Sequence, residues 1–282
     1  DLLTLDENRT FVDLQYTPFI VIGDHYVVAP HVVAASNLVR NIICANNRRP
    51  DLVAGVIDPM QQAVVDALES AGFKVCAEAK PKIGGKELET DIVAWRDDIL
   101  FLFECKNAYH PCSAHEMRNS FEHIDKARGQ LDIRSDAFRQ PDNQKILFKK
   151  LGWNLVPTSK VYTGIITANR VFHGAQLNGH PVRQAHEFIN VVLRGEIGGW
   201  EEELSFWKGP EFQTADLVSY LKGETVIADQ MSALKPYNHH FEFGPRALNF
   251  LTYQMDLAVL ADKIRSSCHV SGVVNASSQL HN

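Results

Sequence analysis

Two short segments decide the fold: ETDIVAW (residues 89–95) and ILFLFECKN (residues 99–107), joined by RDD (residues 96–98). The second segment is apolar until Glu104, as in a central strand that is covered on both faces. The first segment is also mostly apolar, and the polar linker between them suits a tight turn. We therefore predict that the two segments pair as a β-hairpin.

Alternation along these strands predicts which side chains share a face. Glu104 and Lys106 point to one face of the second strand, while Phe103 and Cys105 point to the other. In the paired hairpin, Asp91 is expected to lie beside Glu104 and Lys106. A carboxylate and a lysine are costly to bury unless they are paired or hold a metal ion. The alternative is a solvated strand end that carries a surface ion pair.

Two carboxylates and a lysine suit hydrolysis of a phosphodiester bond. Carboxylate oxygens are ligands that Mg²⁺ prefers, and the ion keeps several waters for a phosphate substrate. Such an ion polarises the phosphate and activates water. The lysine can orient that water or offset the developing charge.

This pattern, Asp91 followed by Glu104-Cys105-Lys106, resembles the PD-(D/E)XK nuclease superfamily, which has the restriction-endonuclease-like fold. The resemblance covers roughly residues 58–168. It implies that Asp91 and Glu104 hold Mg²⁺ or Mn²⁺, with the carbonyl group of Cys105 as a third ligand. It also implies that Lys106 positions or activates the attacking water.

The helices predicted on either side of the hairpin extend the resemblance. A helix is expected from Asp58-Pro59 to Gly72, because aspartate and proline suit its start and glycine its end. Relatives often carry a glutamate where this helix has Gln61, so a second metal ion is in doubt and Gln61 is expected only to support the site. A second helix, from residue 113 to about 135, places Gln130 where the family has a catalytic glutamine; an exposed glutamine is the alternative.

Other polar residues near the hairpin are candidates for support or for phosphate contacts. By alternation, Glu89 shares the face of Asp91 and is a candidate helper. Lys80, Lys82 and Lys86 form a basic segment that is expected to contact nucleic acid, as is Lys126 on the second helix. Solvated surface charges are the alternative for all four lysines.

Composition limits the class of protein. The net charge is −6, which is awkward for a nucleic-acid enzyme because such enzymes usually present a basic surface. Five cysteines without a framework spacing favour a reducing, cytoplasmic setting. No apolar run is long enough to cross a membrane. The chain begins with Asp1, which indicates a piece of a longer protein.

We predict a mixed α/β (α+β) fold, with a restriction-endonuclease-like core at 51–170 that has helices on both faces. Accessory segments are expected at 1–50, with a hairpin about Gly23 and a helix over 32–46, and at 171–282. The last region is expected to pack on the core and to contain helices over 183–194, 214–222 and 246–265.

The predicted function is metal-dependent cleavage of DNA, with RNA left open as the substrate, in restriction, phage defence, repair or transposition. The alternative is a nuclease-fold module that binds nucleic acid or assembles a complex without cutting. A homodimer, or a partner subunit or domain in a longer protein, is expected for either function.

Overall fold

A computed structural model describes residues 3–5, 14, 16–45, 56–111, 114–197, 202–225 and 232–273. The chain divides into two compact units: Asp1–Pro59 with Tyr109–Ser120, and Met60–Ala108 with Phe121–Asn282. The predicted boundary between residues 50 and 51 lies outside the described residues. None of the helices in the described ranges is long and apolar enough to cross a bilayer.

The first unit contains a small sheet. The described elements before residue 56 are β1 (Thr4–Leu5), β2 (Phe19–Ile22), β3 (His25–Val28), α1 (Pro30–Ala35) and α2 (Leu38–Ala45), and the three strands form the sheet. The predicted hairpin is confirmed, and Gly23 occupies its turn with φ of +60°. The single helix predicted over 32–46 is wrong: Ser36 has extended backbone angles, which separate α1 from α2.

The second unit is built around a six-stranded mixed sheet. The remaining strands of the chain are β4 (Lys74–Ala79), β5 (Lys82–Ile83), β6 (Lys86–Glu87), β7 (Thr90–Arg96), β8 (Ile99–Lys106), β9 (Val161–Thr167), β10 (Gln176–Leu177), β11 (His180–Gln184), β12 (Glu196–Ile197), β13 (Glu202–Ser205), β14 (Leu234–Phe243), β15 (Arg246–Met255) and β16 (His269–Val273). The strand order of the large sheet is β10-β11-β9-β8-β7-β4. Within this six-stranded sheet, the β8–β9 and β9–β11 pairs are parallel and the other pairs are antiparallel. Strands from both sides of residue 170 therefore belong to one sheet.

Helices cover both faces of this sheet, as predicted. They are α3 (Pro59–Ser70), α4 (Ala114–Phe138), α5 (Pro141–Leu151), α6 (Ala185–Leu193), α7 (Thr214–Lys222) and α8 (Leu257–Ser267). Residues of α3, α6 and α7 pack with Phe101 and Phe103 on one face. Residues of α4 and α5 pack with Leu100 and Leu102 on the other. The alternation of β8 thus separates two hydrophobic cores.

The β7–β8 hairpin has the predicted tight turn. Its register runs from Arg96 opposite Ile99 to Ile92 opposite Phe103. The two turn residues, Asp97 and Asp98, have φ of 51° and 57°, as a type I′ turn requires. A two-residue turn leaves no slack, so the same register places Asp91 opposite Glu104.

One prediction in the region after residue 170 is wrong. The helix predicted over 183–194 is confirmed as α6, although it begins only at Ala185 because the preceding residues extend β11 along β9. The helix predicted over 246–265 is strand β15 followed by α8. Gly244, with φ of +60°, makes a turn that pairs β15 with β14 along its whole length, and that pairing outweighs the local helical pattern. The helix predicted over 214–222 is confirmed as α7.

Candidate active site

The carboxylate–lysine cluster (Asp91, Glu104 and Lys106) lies where β7 begins and β8 ends. Nζ of Lys106 is 3.2 Å from Oε2 of Glu104 and 3.8 Å from Oδ2 of Asp91. The side chains of Asp91 and Lys106 are 24% and 22% exposed, whereas that of Glu104 is 1% exposed. The cluster is therefore open to solvent on the side of Asp91 and closed around Glu104.

Burial destabilises the ionised form of Glu104. Desolvation, with the nearby charge of Asp91, raises the pKa of Glu104 to about 7, although Lys106 and Arg134 favour the ionised form. A carboxylate that titrates near neutral pH in a partly open cluster is typical of a functional site. The solvated strand end that the sequence left open does not describe Glu104.

Arg134 is a member of this site that the sequence analysis missed. Its Nη1 lies 2.9 Å from Oε1 of Glu104, and its side chain is 7% exposed. Arg134 follows Gln130 by four positions on α4, so both residues lie on one stripe of the helix. Continuing by one helical turn from Gln130 along the predicted helix would have found it.

Several buried polar atoms of Glu104 and of α4 lack hydrogen-bond partners among the described residues. They are Oε1 of Glu104, Nε and Nη1 of Arg134, and Oε1 of Gln130, all of them buried. The close approach of Arg134 to Glu104 is thus an ion pair without the angles of a hydrogen bond. Buried orphan groups are rare in folded proteins and often mark the place of water or an ion.

Backbone contacts hold Asp91 in place. Its Oδ2 accepts a hydrogen bond of 2.7 Å from the backbone N–H of Cys105. Gln61, which is buried on α3, donates from Nε2 to the backbone carbonyl of Asp91 at 2.8 Å. Gln61 thus contacts the backbone of Asp91 from the face opposite to α4.

The thiol of Cys105 packs against the core on the α3 side, opposite Glu104, as alternation predicted. The hydrogen bond from Cys105 to Asp91 comes from the backbone N–H of Cys105 and does not involve the thiol. The expectation that its carbonyl binds a metal ion stays a prediction.

Of the four lysines predicted to bind nucleic acid, one forms an ion pair with an acidic residue and three are exposed. Lys80 pairs with Glu89 at 2.9 Å, so Glu89 contacts a lysine. The hydrogen bond and charge of Glu89 raise the pKa of Lys80. Lys82 and Lys86 are exposed on the β5–β6 ribbon, and Lys126 is exposed on α4. Contacts of these lysines with phosphate stay a prediction.

A hydrogen-bond network around the buried His180 ties α4 to the sheet. Nδ1 of His180 lies 2.6 Å from Oγ1 of Thr163, and Nε2 lies 3.0 Å from Oδ1 of Asp132 on α4. Because the carboxylate can only accept, the proton belongs on Nε2 and the threonine hydroxyl donates to Nδ1. The hydrogen bond from His180 lowers the pKa of Asp132. This network positions the helix that carries Gln130 and Arg134.

The cluster offers carboxylate oxygens, which are the kind of ligand that a magnesium ion prefers. No group of three His, Cys, Asp or Glu side chains that could hold a metal occurs in the part of the chain that the structure describes. Mg²⁺, however, is commonly held by one or two carboxylates and by water. Oε1 of Glu104, which pairs with Arg134, and Oε1 of Gln130 make no hydrogen bond among the described residues and so keep acceptor capacity for such a group.

Comparisons with known proteins do not assign a family. No family model matches the chain, and no curated protein matches it. A crystal structure of an XisH family protein from Nostoc punctiforme is similar over 38% of this chain and 68% of that chain, with 19% identity and a TM-score of 0.23.

Proposed function

We propose that this protein is a metal-dependent nuclease that hydrolyses phosphodiester bonds, with DNA as the first substrate to test. The observation that carries the proposal is the placement of Lys106 between two carboxylates, Asp91 and Glu104, at the ends of paired strands. The pKa of Glu104, which is raised to about 7, supports a catalytic rather than a purely structural role.

The roles of the residues follow from their exposure. Asp91 and Glu104 would hold the ion, and the Cys105 carbonyl is the proposed third ligand. When bound, Mg²⁺ supplies charge that polarises the phosphate and favours ionisation of water. Lys106, partly exposed, would orient the attacking water through its ammonium group. Gln130 would accept a hydrogen bond from water through its orphan oxygen.

Arg134 supports a second candidate, a nuclease-fold module that binds nucleic acid without cutting it. Arg134 and Lys106 together contact both carboxylate oxygens of Glu104. In that arrangement the cations supply the charge that a metal ion would bring. In the nuclease, Glu104 would exchange its contact with Arg134 for a metal ion. In the binding module, Glu104 would keep that contact.

Cleavage of plasmid and linear DNA with Mg²⁺ or Mn²⁺ tests the proposal directly. We expect cleavage that requires the metal and that disappears in Lys106→Ala. Lys145→Ala is the matched control, because Lys145 is 64% exposed on α5 and forms a surface ion pair with Asp142. Competition with RNA then identifies the preferred substrate.

Calorimetric titration with Mn²⁺ separates the two candidates. A nuclease should bind the ion, and Asp91→Ala should abolish that binding. The absence of both cleavage and metal binding would reject the catalytic proposal in favour of the binding module. Cleavage that persists in Lys106→Ala would show that another site, or a contaminant, is responsible.

A further inference from the structure

The hairpin of β14 and β15 is exposed along its whole length. The strands pair from Leu234 opposite Met255 to Phe243 opposite Arg246, and they form a separate two-stranded sheet. Seventeen of its twenty strand residues are exposed. A two-stranded hairpin alone is marginally stable in water. An exposed ribbon of this length therefore needs a partner surface.

One face of the hairpin is aromatic. Residues directly opposite each other in an antiparallel pair share a face. This aromatic face consists of Tyr237, His239, Phe241, Phe243, Leu248 and Phe250. The ring of Phe250 lies 5.0 Å from that of His239 and 5.7 Å from that of Phe241, measured between centroids. The rings thus form a continuous surface across both strands.

The opposite face is more polar toward the turn. His240 and Asn249 are paired there, with Nδ1 and Oδ1 2.6 Å apart, and Glu242 lies next to them. Leu251 and Tyr253, which are 65% and 63% exposed, also lie on that face, nearer the base of the hairpin. Toward the turn, the aromatic face is therefore the more continuously apolar of the two.

The apolar area matches what a dimer requires. Phe243 is 62% exposed, and Tyr237, Phe241 and Phe250 are each 44–46% exposed. Together these rings present about 400 Å², and Leu248 brings the apolar area to about 500 Å². Stable interfaces bury about 800 Å² on each partner, slightly more than half of it apolar. A patch of this size is near the upper end of what monomers expose, and such patches often mark interaction sites.

We propose that the aromatic face is the docking surface for a second copy of this chain. Two identical aromatic faces related by a two-fold axis complement each other without any further partner. The face has cations only at its ends, Lys235 and Arg246, and Lys235 pairs with Asp256. A platform for single-stranded nucleic acid would need a basic groove beside its rings, so a second copy fits better.

Sedimentation velocity of the whole chain over a wide concentration range tests this proposal. We expect a dimer, and we expect Phe250→Lys to raise its dissociation constant by at least about 30-fold. Asn249→Lys places the same charge on the neighbouring residue of the opposite face and should leave the dimer intact. Phe241→Thr, which keeps a residue suited to strands, should also weaken the dimer. Circular dichroism and thermal melting establish that each variant is folded.

Three results would overturn the proposal. They are a wild-type chain that stays monomeric throughout, a dimer that survives both phenylalanine variants, and a monomer that binds a labelled single-stranded oligonucleotide through the aromatic face. Because sedimentation measures mass, the result is independent of whether the protein cuts nucleic acid.

Discussion

Nη1 of Arg134 lies 2.9 Å from Oε1 of Glu104, and both side chains are almost completely buried. Glu104 belongs to the central sheet, whereas Arg134 comes from the helix packed across it. Burial opposes ionisation of Glu104, and Arg134 is one of the two cations that counteract it. The stability of the core and the state of the cluster are therefore linked through this pair.

Arg134→Met should destabilise the protein by about 3 kcal/mol at pH 8, because it leaves an ionised Glu104 buried without its guanidinium partner. The loss should be smaller at pH 5.5, where Glu104 is protonated. Urea unfolding at both pH values measures the difference. Arg139→Met, at a residue that is 61% exposed just after the end of α4, should cost less than about 1 kcal/mol. An equal loss at both pH values for Arg134→Met would contradict the assigned charge of Glu104.

Glu104 should make the metal-free protein less stable as pH rises from about 4.5 to about 7. The unfolded chain loses its proton first, so the folded state is favoured below the unfolded pKa and this advantage disappears as pH passes the folded pKa. The shift corresponds to about 3 kcal/mol as an order of magnitude. Unfolding at a series of pH values should show that Glu104→Gln removes this part of the slope. An unchanged slope in the variant would assign the effect to other groups.

His180→Leu should destabilise the protein by about 1 to 3 kcal/mol, because Thr163 and Asp132 both lose the partner that joins the sheet to α4. Thermal or urea unfolding measures the loss. His186→Leu is the matched control, since His186 is exposed at the start of α6. Similar stability of the two variants would mean that the network does not secure α4.

Gln61→Glu should also destabilise the protein, because the amide of Gln61 donates to the backbone of Asp91. An ionised glutamate cannot donate to the carbonyl of Asp91, so a buried acceptor loses its partner, at a cost of about 1 to 3 kcal/mol at pH 8. The loss should shrink at acidic pH, where glutamate can donate again. Gln62→Glu, on the exposed side of α3, should change stability by only a few tenths of a kcal/mol. A variant at Gln61 as stable as wild type at pH 8 would show that the amide is dispensable.

The sequence determined the features that depend on neighbouring residues. The alternation of β8 and the two-residue turn at Asp97-Asp98 place Asp91 opposite Glu104, because a tight hairpin permits only one register. The start of α3 at Pro59 and its end before Gly72 follow from backbone preferences of those residues. These local rules were sufficient to predict the carboxylate–lysine cluster.

Only the tertiary structure decided which distant residues complete the cluster. Arg134 reaches Glu104 because α4 packs on that face of the sheet, and His180 secures the same helix from β11. The strand at 246–255, which local pattern predicted as helix, depends on pairing with β14. Burial, ion pairing across layers and strand pairing all depend on groups far apart in the chain, and local sequence patterns do not report their free energies.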